Sequence, residues 1–429
     1  MSNSKFNVFD VMQTFDIFCE METLSKDTLM AIPVEDFKAF NEVAAGYSDN
    51  YSEKLTQLFL NIPFSDANDP SFMHQMKQWI SFSKSICLMQ VAISVLDGSE
   101  SELDYETAMH WINLFENSTL DNSIKALGIY GIANTQKELN PKFCYDMQMK
   151  AFSVYPTLSE ILGYDYIYDK SKITDTYYDN CPVCKSKNAK PHYCVSQFVA
   201  AGKNNVFSPV KLWMKCMDCN TIYAYNFPVS QMSEINGHYT RNYSHKKIEP
   251  VNPLRIYSDI FNKCRKYTSG NKYLEIGVGR GEMLAVALEM GYDVDAVEIC
   301  KEDCEKISAV LNVDIKWCDF LDFNTDKKYD IIIMGDVLEH ISDPISAIKK
   351  AKSLLDKDGI LWISTPNYNS AFTRLMGFSD AMWNQKNHFT YFSYESLLPF
   401  LKAENLEVMH YDVSDRYNGS MEIYCKNAD

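Results

Sequence analysis

Long apolar runs are scarce in this chain of 429 residues. The longest, residues 86–96, is interrupted by Gln90 and Ser94 and is too short to span a bilayer, so no membrane span is expected. The first residues, Met1-Ser-Asn-Ser-Lys-Phe, lack the basic region and apolar core of a secretory leader. Thirteen cysteines is an odd number, and Cys19, Cys87, Cys144, Cys300 and Cys304 sit among apolar neighbours or on expected helices. They read as reduced thiols, which points to a cytoplasmic protein. Arginines are not clustered in the basic middle of the chain: Arg241, Arg255 and Arg265 stand apart, which argues against nucleic acid as a partner. The first 165 residues show neither a regular repeat nor a catalytic motif.

The length suffices for two or three domains, and the 46% hydrophobic content is ordinary for a globular protein. Charge divides the chain by region. Residues 1–170 carry 11 Lys+Arg against 24 Asp+Glu, and residues 271–429 carry 16 against 27. Between them, residues 181–270 carry 13 against 4. A basic middle can dock against acidic neighbours, or it can receive an anionic acceptor such as a nucleotide-linked sugar, a phosphorylated metabolite or RNA.

Apolar residues recur at helical spacing over 9–21, 29–43, 51–60, 73–96 and 105–115. Asn68-Asp69-Pro70-Ser71 is a helix-start signal, and Gly98-Ser-Glu-Ser-Glu102 a polar break. Residues 1–165 therefore read as an all-helical domain. Dimerisation, binding of a partner protein or carrier, and covering an active site are all roles open to it. Its His74, His110 and Trp111 read as packed or surface residues.

The most informative segment is Tyr273-Leu-Glu-Ile-Gly-Val-Gly-Arg-Gly-Glu-Met-Leu284. An apolar strand runs through Glu275 into a turn with Gly277, Gly279 and Gly281, and a helix follows. Glycine is needed where the backbone turns tightly and a ligand approaches it. Glu298, at the end of the next expected strand, lies 17 residues beyond Gly281, where a mononucleotide-binding unit places the acid for the ribose hydroxyls. After a third apolar run, Asp319 can accept from an adenine amino group while Phe320 covers the ring. A fourth strand, Tyr329-Asp-Ile-Ile-Ile-Met334, opens onto Gly335-Asp-Val-Leu-Glu-His340, and a fifth ends in Thr365-Pro-Asn367. A nicotinamide-dependent fold explains the turn and Glu298 but not the later segments.

Together these residues resemble the class I S-adenosylmethionine (SAM) dependent methyltransferases, in the branch with an Asp-Val-Leu-Glu-His-like fourth motif. The resemblance covers about residues 250–429. It implies a Rossmann-like, seven-stranded, mostly parallel sheet with helices on both faces and an antiparallel strand near the C-terminus. It also implies SAM as cofactor, with the three glycines at its methionine part and Glu275 supporting the loop. Glu298 falls to the ribose, Asp319 and Phe320 to the adenine, and Asp336 to the cofactor side of the fourth strand's end.

Upstream, Cys181-Pro-Val-Cys184 and Cys216-Met-Asp-Cys219 form two Cys-x-x-Cys knuckles, 31 residues apart. Two such pairs complete the tetrahedral set that zinc prefers, and a closed four-sulfur site is structural. The spacing predicts a long hairpin between the knuckles, within a zinc-ribbon module and linker over 175–245. This arrangement is similar to small-molecule methyltransferases that C-methylate deoxysugar nucleotides. They carry a cysteine-rich zinc module and an aromatic linker ahead of the SAM domain, as Gly237-His-Tyr-Thr-Arg-Asn-Tyr-Ser244 provides here. They also continue into a further large domain, whereas this sequence reaches Asp429 soon after the last expected strand.

Methyl transfer from a sulfonium is an in-line displacement that needs alignment and, for a hydroxyl or carbon acid, a base. Glu339 and His340, after the fourth strand, stand where such a base belongs, and imidazole can take a proton near neutral pH. His388 is a second candidate, because residues 377–386 before it look like an acceptor-covering loop. His238, Tyr239 and Tyr243 could close over the cofactor from the linker. The expected activity is methylation of a small, anionic or carrier-linked acceptor, a sugar or a secondary metabolite. The alternatives are a methyltransferase that grips RNA or protein through the basic ribbon, and a scaffold that has lost transfer.

Overall fold

The computed structural model describes residues 8–31, 72–96, 103–201, 206–229 and 253–428. The expected helix over 51–60, nearly all of that over 29–43, the start signal at 68–71, the break at 98–102 and the aromatic linker with His238, Tyr239 and Tyr243 lie outside these residues. The chain divides into two compact units, Met1–Tyr168 and Asp169–Asp429.

The described part of the first unit is helical. Helices α1 (Val8–Thr23), α2 (Phe72–Leu96) and α3 (Tyr105–Asn117) follow the apolar periodicity of the sequence. Asp104 caps α3 by accepting from the Thr107 amide at 2.7 Å. Helices α4 (Asn122–Asn134) and α5 (Pro141–Val154) also lie in the expected all-helical domain, beyond the stretches named for their apolar spacing. In α4 every residue from 126 to 133 is buried, so no apolar stripe stands out from a polar face. Gly128 lets α4 approach α3 closely, since a Cβ there would meet the Phe115 ring at 2.3 Å.

The apolar stretch of α2 is longer than the run visible in the sequence. Met76–Leu96 in α2 is 21 residues long, and by length and composition it is sufficient to cross a membrane. The 11-residue run missed this because the helix continues N-terminally through Trp79 and Ile80. Just over half of the stretch (56%) is buried inside the structure, with Trp79, Val91 and Ala92 fully enclosed, as in a core helix.

The second unit holds three sheets. The strands are β1 (Thr176–Tyr177), β2 (Ala189–Ser196), β3 (Val210–Cys216), β4 (Ile222–Ala224), β5 (Asn226–Phe227), β6 (Lys272–Ile276), β7 (Asp293–Glu298), β8 (Ile315–Trp317), β9 (Tyr329–Gly335), β10 (Leu355–Pro366), β11 (Thr390–Tyr391), β12 (Leu406–Val413) and β13 (Ser420–Asn427). The large sheet has the order β12-β13-β10-β9-β6-β7-β8, with β13 antiparallel to both neighbours and the other pairings parallel. This is the expected seven-stranded Rossmann-like sheet. The unbroken apolar run of β9 is explained by burial on both sides. One face packs α6 (Pro253–Cys264), α7 (Glu282–Glu289) and α8 (Lys301–Leu311), through residues such as Phe261, Leu284 and Ile307. The other packs α9 (Pro344–Leu354) and α10 (Tyr394–Ala403), through Ile348 and Leu397.

The long hairpin predicted between the knuckles is β2 against β3. It belongs to a four-stranded sheet ordered β11-β4-β3-β2. Its edge strand β11 comes from the far end of the chain, pairing Thr390 with Tyr223 and Tyr391 with Ile222. Cys181, Cys216 and Tyr223 share one hydrophobic cluster with Leu338, Phe392 and Leu397. A second cluster joins Trp213 and Phe227 to Met382, Trp383 and Phe389. The ribbon is thus built into the second unit.

Candidate active site

The glycine turn sits where β6 hands over to α7. Gly277, Gly279 and Gly281 have φ of 75°, 50° and 75°. Gly277 and Gly281 also pack closely, since a Cβ would meet Val337 at 2.6 Å and Ile307 at 2.7 Å. At Gly279 a Cβ would meet nothing within 4 Å, so this part of the turn faces open space. Glu298, at the end of β7, secures the turn from beside it. Its carboxylate accepts from the Val278 amide at 3.0 Å and the Cys300 amide at 2.8 Å. Burial pushes its pKa up. Glu275 is fully buried behind the turn and accepts from the Tyr273 hydroxyl at 2.7 Å. Burial raises it to about 8, against the opposing pull of Tyr273 and Arg416.

Asp319 follows β8 and caps a short 3-10 turn, accepting from the Leu321 amide at 2.8 Å. Phe320 lies elsewhere than expected. Its ring is buried in the core with Leu338 and Ile348, and the Lys350 ammonium stands 5.7 Å above it. Neighbouring residues on a turn diverge, so Asp319 stays at the rim while Phe320 anchors the turn from below.

Beyond β9 the chain turns sharply. Asp336 has φ of 55°, a left-handed conformation uncommon outside glycine. It is held there by its amide, which donates to the Ser364 carbonyl, and by the Ser364 hydroxyl, which donates to its carboxylate, both at 2.9 Å. Glu339 is buried and accepts from the Thr365 hydroxyl at 2.9 Å. Burial, and next the negative charge of Asp336, push its carboxyl upward.

The two candidate histidines, 48 positions apart in sequence, meet here. Their rings are 4.7 Å apart and nearly perpendicular. Ligand atoms of Glu339, His340 and His388 all lie within 4.8 Å of one another. Hydrogen bonds determine the tautomers. His340 Nδ1 is 2.9 Å from the Asn387 carbonyl, which can only accept, so Nδ1 carries the proton. His388 Nδ1 is 2.9 Å from the Tyr391 hydroxyl, whose single hydrogen goes to the Met382 carbonyl. His388 therefore donates through Nδ1 as well. Each Nε2 is left with its lone pair. Burial keeps His340 below its usual pKa and His388 well below, the latter helped by His340 and Lys211.

A cavity of about 560 Å³ opens beside these groups, lined by Asp336, Glu339, Asp380, Asn387, His388 and Tyr417 among others. His388 faces it, and His340 packs behind His388.

Arg416 was missed in the sequence. It lies on the turn between β12 and β13 and reaches back to the end of β9, where its Nη2 pairs with Asp336 Oδ2 at 2.9 Å. Its guanidinium stacks 5.4 Å from Tyr257, 5.7 Å from Trp362 and 5.2 Å from Tyr417. Nε and Nη1 are buried without a hydrogen-bond partner among the described residues. Two unpaired donors on a buried cation are costly, and an anion would relieve that cost. The signal available in sequence was the Arg-Tyr-Asn-Gly turn at the carboxyl edge of the sheet.

At the ribbon, Cys181 Sγ is 3.7 Å from Cys219 Sγ, and Cys184 Sγ is 3.5 Å from Cys216 Sγ. All four sulfurs lie within 4.8 Å of one another. Sulfurs about 2.3 Å from one tetrahedral cation are about 3.8 Å apart, so the spacing fits zinc. Lys185 and Asn220, each directly after a knuckle, take φ of 63° and 58° to close the two turns.

Comparison with known proteins agrees with this geometry. Residues 251–411 match a family model described as a methyltransferase domain. The ubiquinone biosynthesis O-methyltransferase of Actinobacillus pleuropneumoniae serotype 7 is 30% identical over 137 residues, covering 29% of this chain and 58% of that protein. The protein of the same name from Glaesserella parasuis serovar 5 is 36% identical over 135 residues, covering 28% and 56%. The chain thus spans rather more than half the length of these relatives. Among solved structures, the N-methyltransferase NodS of Bradyrhizobium japonicum in complex with S-adenosyl-L-homocysteine overlaps 46% of this chain and all of its own (100%), at 14% identity and a TM-score of 0.38. The glycine turn and strands β6 to β10 thus lie within residues 251–411, the part of this chain that matches the methyltransferase-domain family.

Proposed function

We propose that the protein transfers the methyl group of SAM to a small acceptor, anionic or carrier-linked, held in the cavity beside His388. The observation that carries this reading is that the cofactor-side groups and the cavity adjoin at Asp336. That residue pairs with Arg416 on one side and lines the cavity on the other. The residues fit the cofactor. Gly279 leaves room at the turn, Glu298 and Asp319 offer carboxylates for the ribose and adenine, and the two unpaired Arg416 donors suit an α-carboxylate. Asp336, ion-paired with that arginine, and Glu275, which feels its charge, would face the ammonium.

When bound, SAM supplies an electrophilic methyl carbon on a sulfonium. An acceptor held beside His388 would take that methyl group through its lone pair, with sulfur keeping the electron pair of the carbon–sulfur bond. An acceptor hydroxyl proton passes to His388 Nε2, which its Nδ1 bond to Tyr391 leaves free. His340 packs at right angles on His388 and fixes the ring. Cys181, Cys184, Cys216 and Cys219 would hold one zinc ion that closes the ribbon. The O-methyltransferase relatives favour oxygen as the acceptor atom.

The test is to incubate purified protein with methyl-labelled SAM and a host-cell extract, then follow the label after size fractionation. Label among small metabolites is expected. Label in the RNA or protein fraction, or failure to bind SAM in calorimetry, overturns the proposal.

A further inference from the structure

Lys211 lies on β3 of the ribbon and is wholly buried. Its ammonium donates to the carbonyls of Gln385 at 2.8 Å, Lys386 at 3.1 Å and His388 at 3.0 Å. An ammonium has three N–H donors, and here three carbonyls take them. The stem is flanked by aromatic rings, with Nζ 4.7 Å from Trp213 and 5.3 Å from Phe227. Gln385, Asn387 and His388, from this same segment, line the cavity. The carbonyl of Asn387, the one carbonyl of the segment not bonded to Lys211, accepts from His340. A buried charge is expensive to maintain unless fully hydrogen-bonded. A lysine serving only to fill the core of the ribbon would be better replaced by leucine or methionine.

We propose that Lys211 is a positioning residue of the acceptor site: the ribbon, through this ammonium, fixes the backbone of residues 385–388 and so aims His388 into the cavity. The ribbon is then a wall of the active site as well as a metal-stapled module. The inference rests on the reading of His388 as the residue facing the acceptor. Its geometric half, control of the His388 ring by Lys211, stands apart from any catalytic role.

The experiment compares the full-length protein with Lys211→Met, Lys211→Gln and Trp213→Phe. The last removes a different ribbon-to-loop bond, Trp213 Nε1–H to the Trp383 carbonyl at 3.0 Å. In ¹⁵N-histidine spectra, the wild-type His388 signal should show a protonated Nδ1. Lys211→Met should lose that signature, Lys211→Gln should lose it in part, and Trp213→Phe should keep it. With the acceptor in hand, Lys211→Met should lower kcat roughly 10- to 100-fold, the scale of a misplacement of about 1 Å. SAM affinity should change less than about twofold. An unchanged His388 spectrum in a folded Lys211→Met protein overturns the proposal, as does an equal loss in Trp213→Phe. Should the methionine variant fail to fold, Lys211→Gln decides by the same two readings. If no acceptor is ever methylated, the spectra still decide the positioning claim while the functional reading fails separately.

Discussion

At the scale of the residue, the site depends on which hydrogen each group can spare. His388 commits its Nδ1 proton to Tyr391, so its reactivity lies in Nε2. Replacing His388 with Ala should lower kcat by about 10²- to 10⁴-fold, the range for loss of a general base, while SAM affinity holds. Full turnover in both His388→Ala and His340→Ala would show that alignment alone suffices. Burial holds His388 well below its usual pKa. The imidazole therefore favours its neutral form, and the acid limb of the kcat profile should lie below the usual histidine range. Arg416→Gln should weaken SAM binding roughly 10- to 100-fold, and Arg416→Lys should not restore it, because a point charge cannot reproduce a two-donor fork.

Glu275 yields a stability prediction whose sign can be worked out. Its folded pKa, about 8, lies above the ordinary carboxylate value. The stabilisation it contributes is therefore complete below the unfolded pKa, near 4.3, and is lost as pH rises towards 8. Glu275→Gln keeps an acceptor for Tyr273 but cannot ionise. Without SAM, this variant should melt about 2–6 °C above the wild type at pH 8 and within about 1 °C of it at pH 5, read by scanning fluorimetry. With SAM the gain should shrink, because the ammonium would favour the wild-type carboxylate.

At the scale of the element, what was legible in the sequence was local. The glycine turn, the buried run of β9 and the knuckles each lie within about a dozen contiguous residues, and their geometry follows from the backbone they demand. What was not legible depends on segments that meet only in the fold. Arg416 is one of many charged turn residues until the β12–β13 hairpin carries it back to Asp336. Lys211 reads as part of a basic ribbon, yet its acceptors lie 174 to 177 positions away. Phe320 shows the limit from the other side. It adjoins Asp319 in sequence, but its ring is drawn into the core by packing under α9. The ribbon can be tested at this scale too. Cys216→Ser should lower the bound zinc, measured by elemental analysis, and reduce kcat. SAM affinity should stay within about twofold, since the knuckles and the glycine turn are on separate elements.

At the scale of the whole molecule, the two compact units invite dissection. A fragment spanning residues 169–429 contains every group assigned to cofactor, acceptor and metal. It should fold, with a single cooperative melt, and bind SAM within about threefold of the intact chain. An insoluble fragment would show that the helical unit is needed for more than addition of a partner surface. The charge pattern also gains a physical reading. The basic middle spends Lys211 inward on backbone carbonyls, so not all of its positive charge is offered to a partner.

The edge strand β11 has a bearing on synthesis. Its two residues seal β4, yet they emerge from the ribosome 168 positions after Ile222 and Tyr223. A nascent chain that has released both knuckles still carries an unsealed strand edge and an unfilled aromatic cluster around Trp213. The ribbon therefore cannot mature as an independent early folding unit, and its completion waits on the catalytic segment. Moved alone onto another enzyme, it would arrive unfinished.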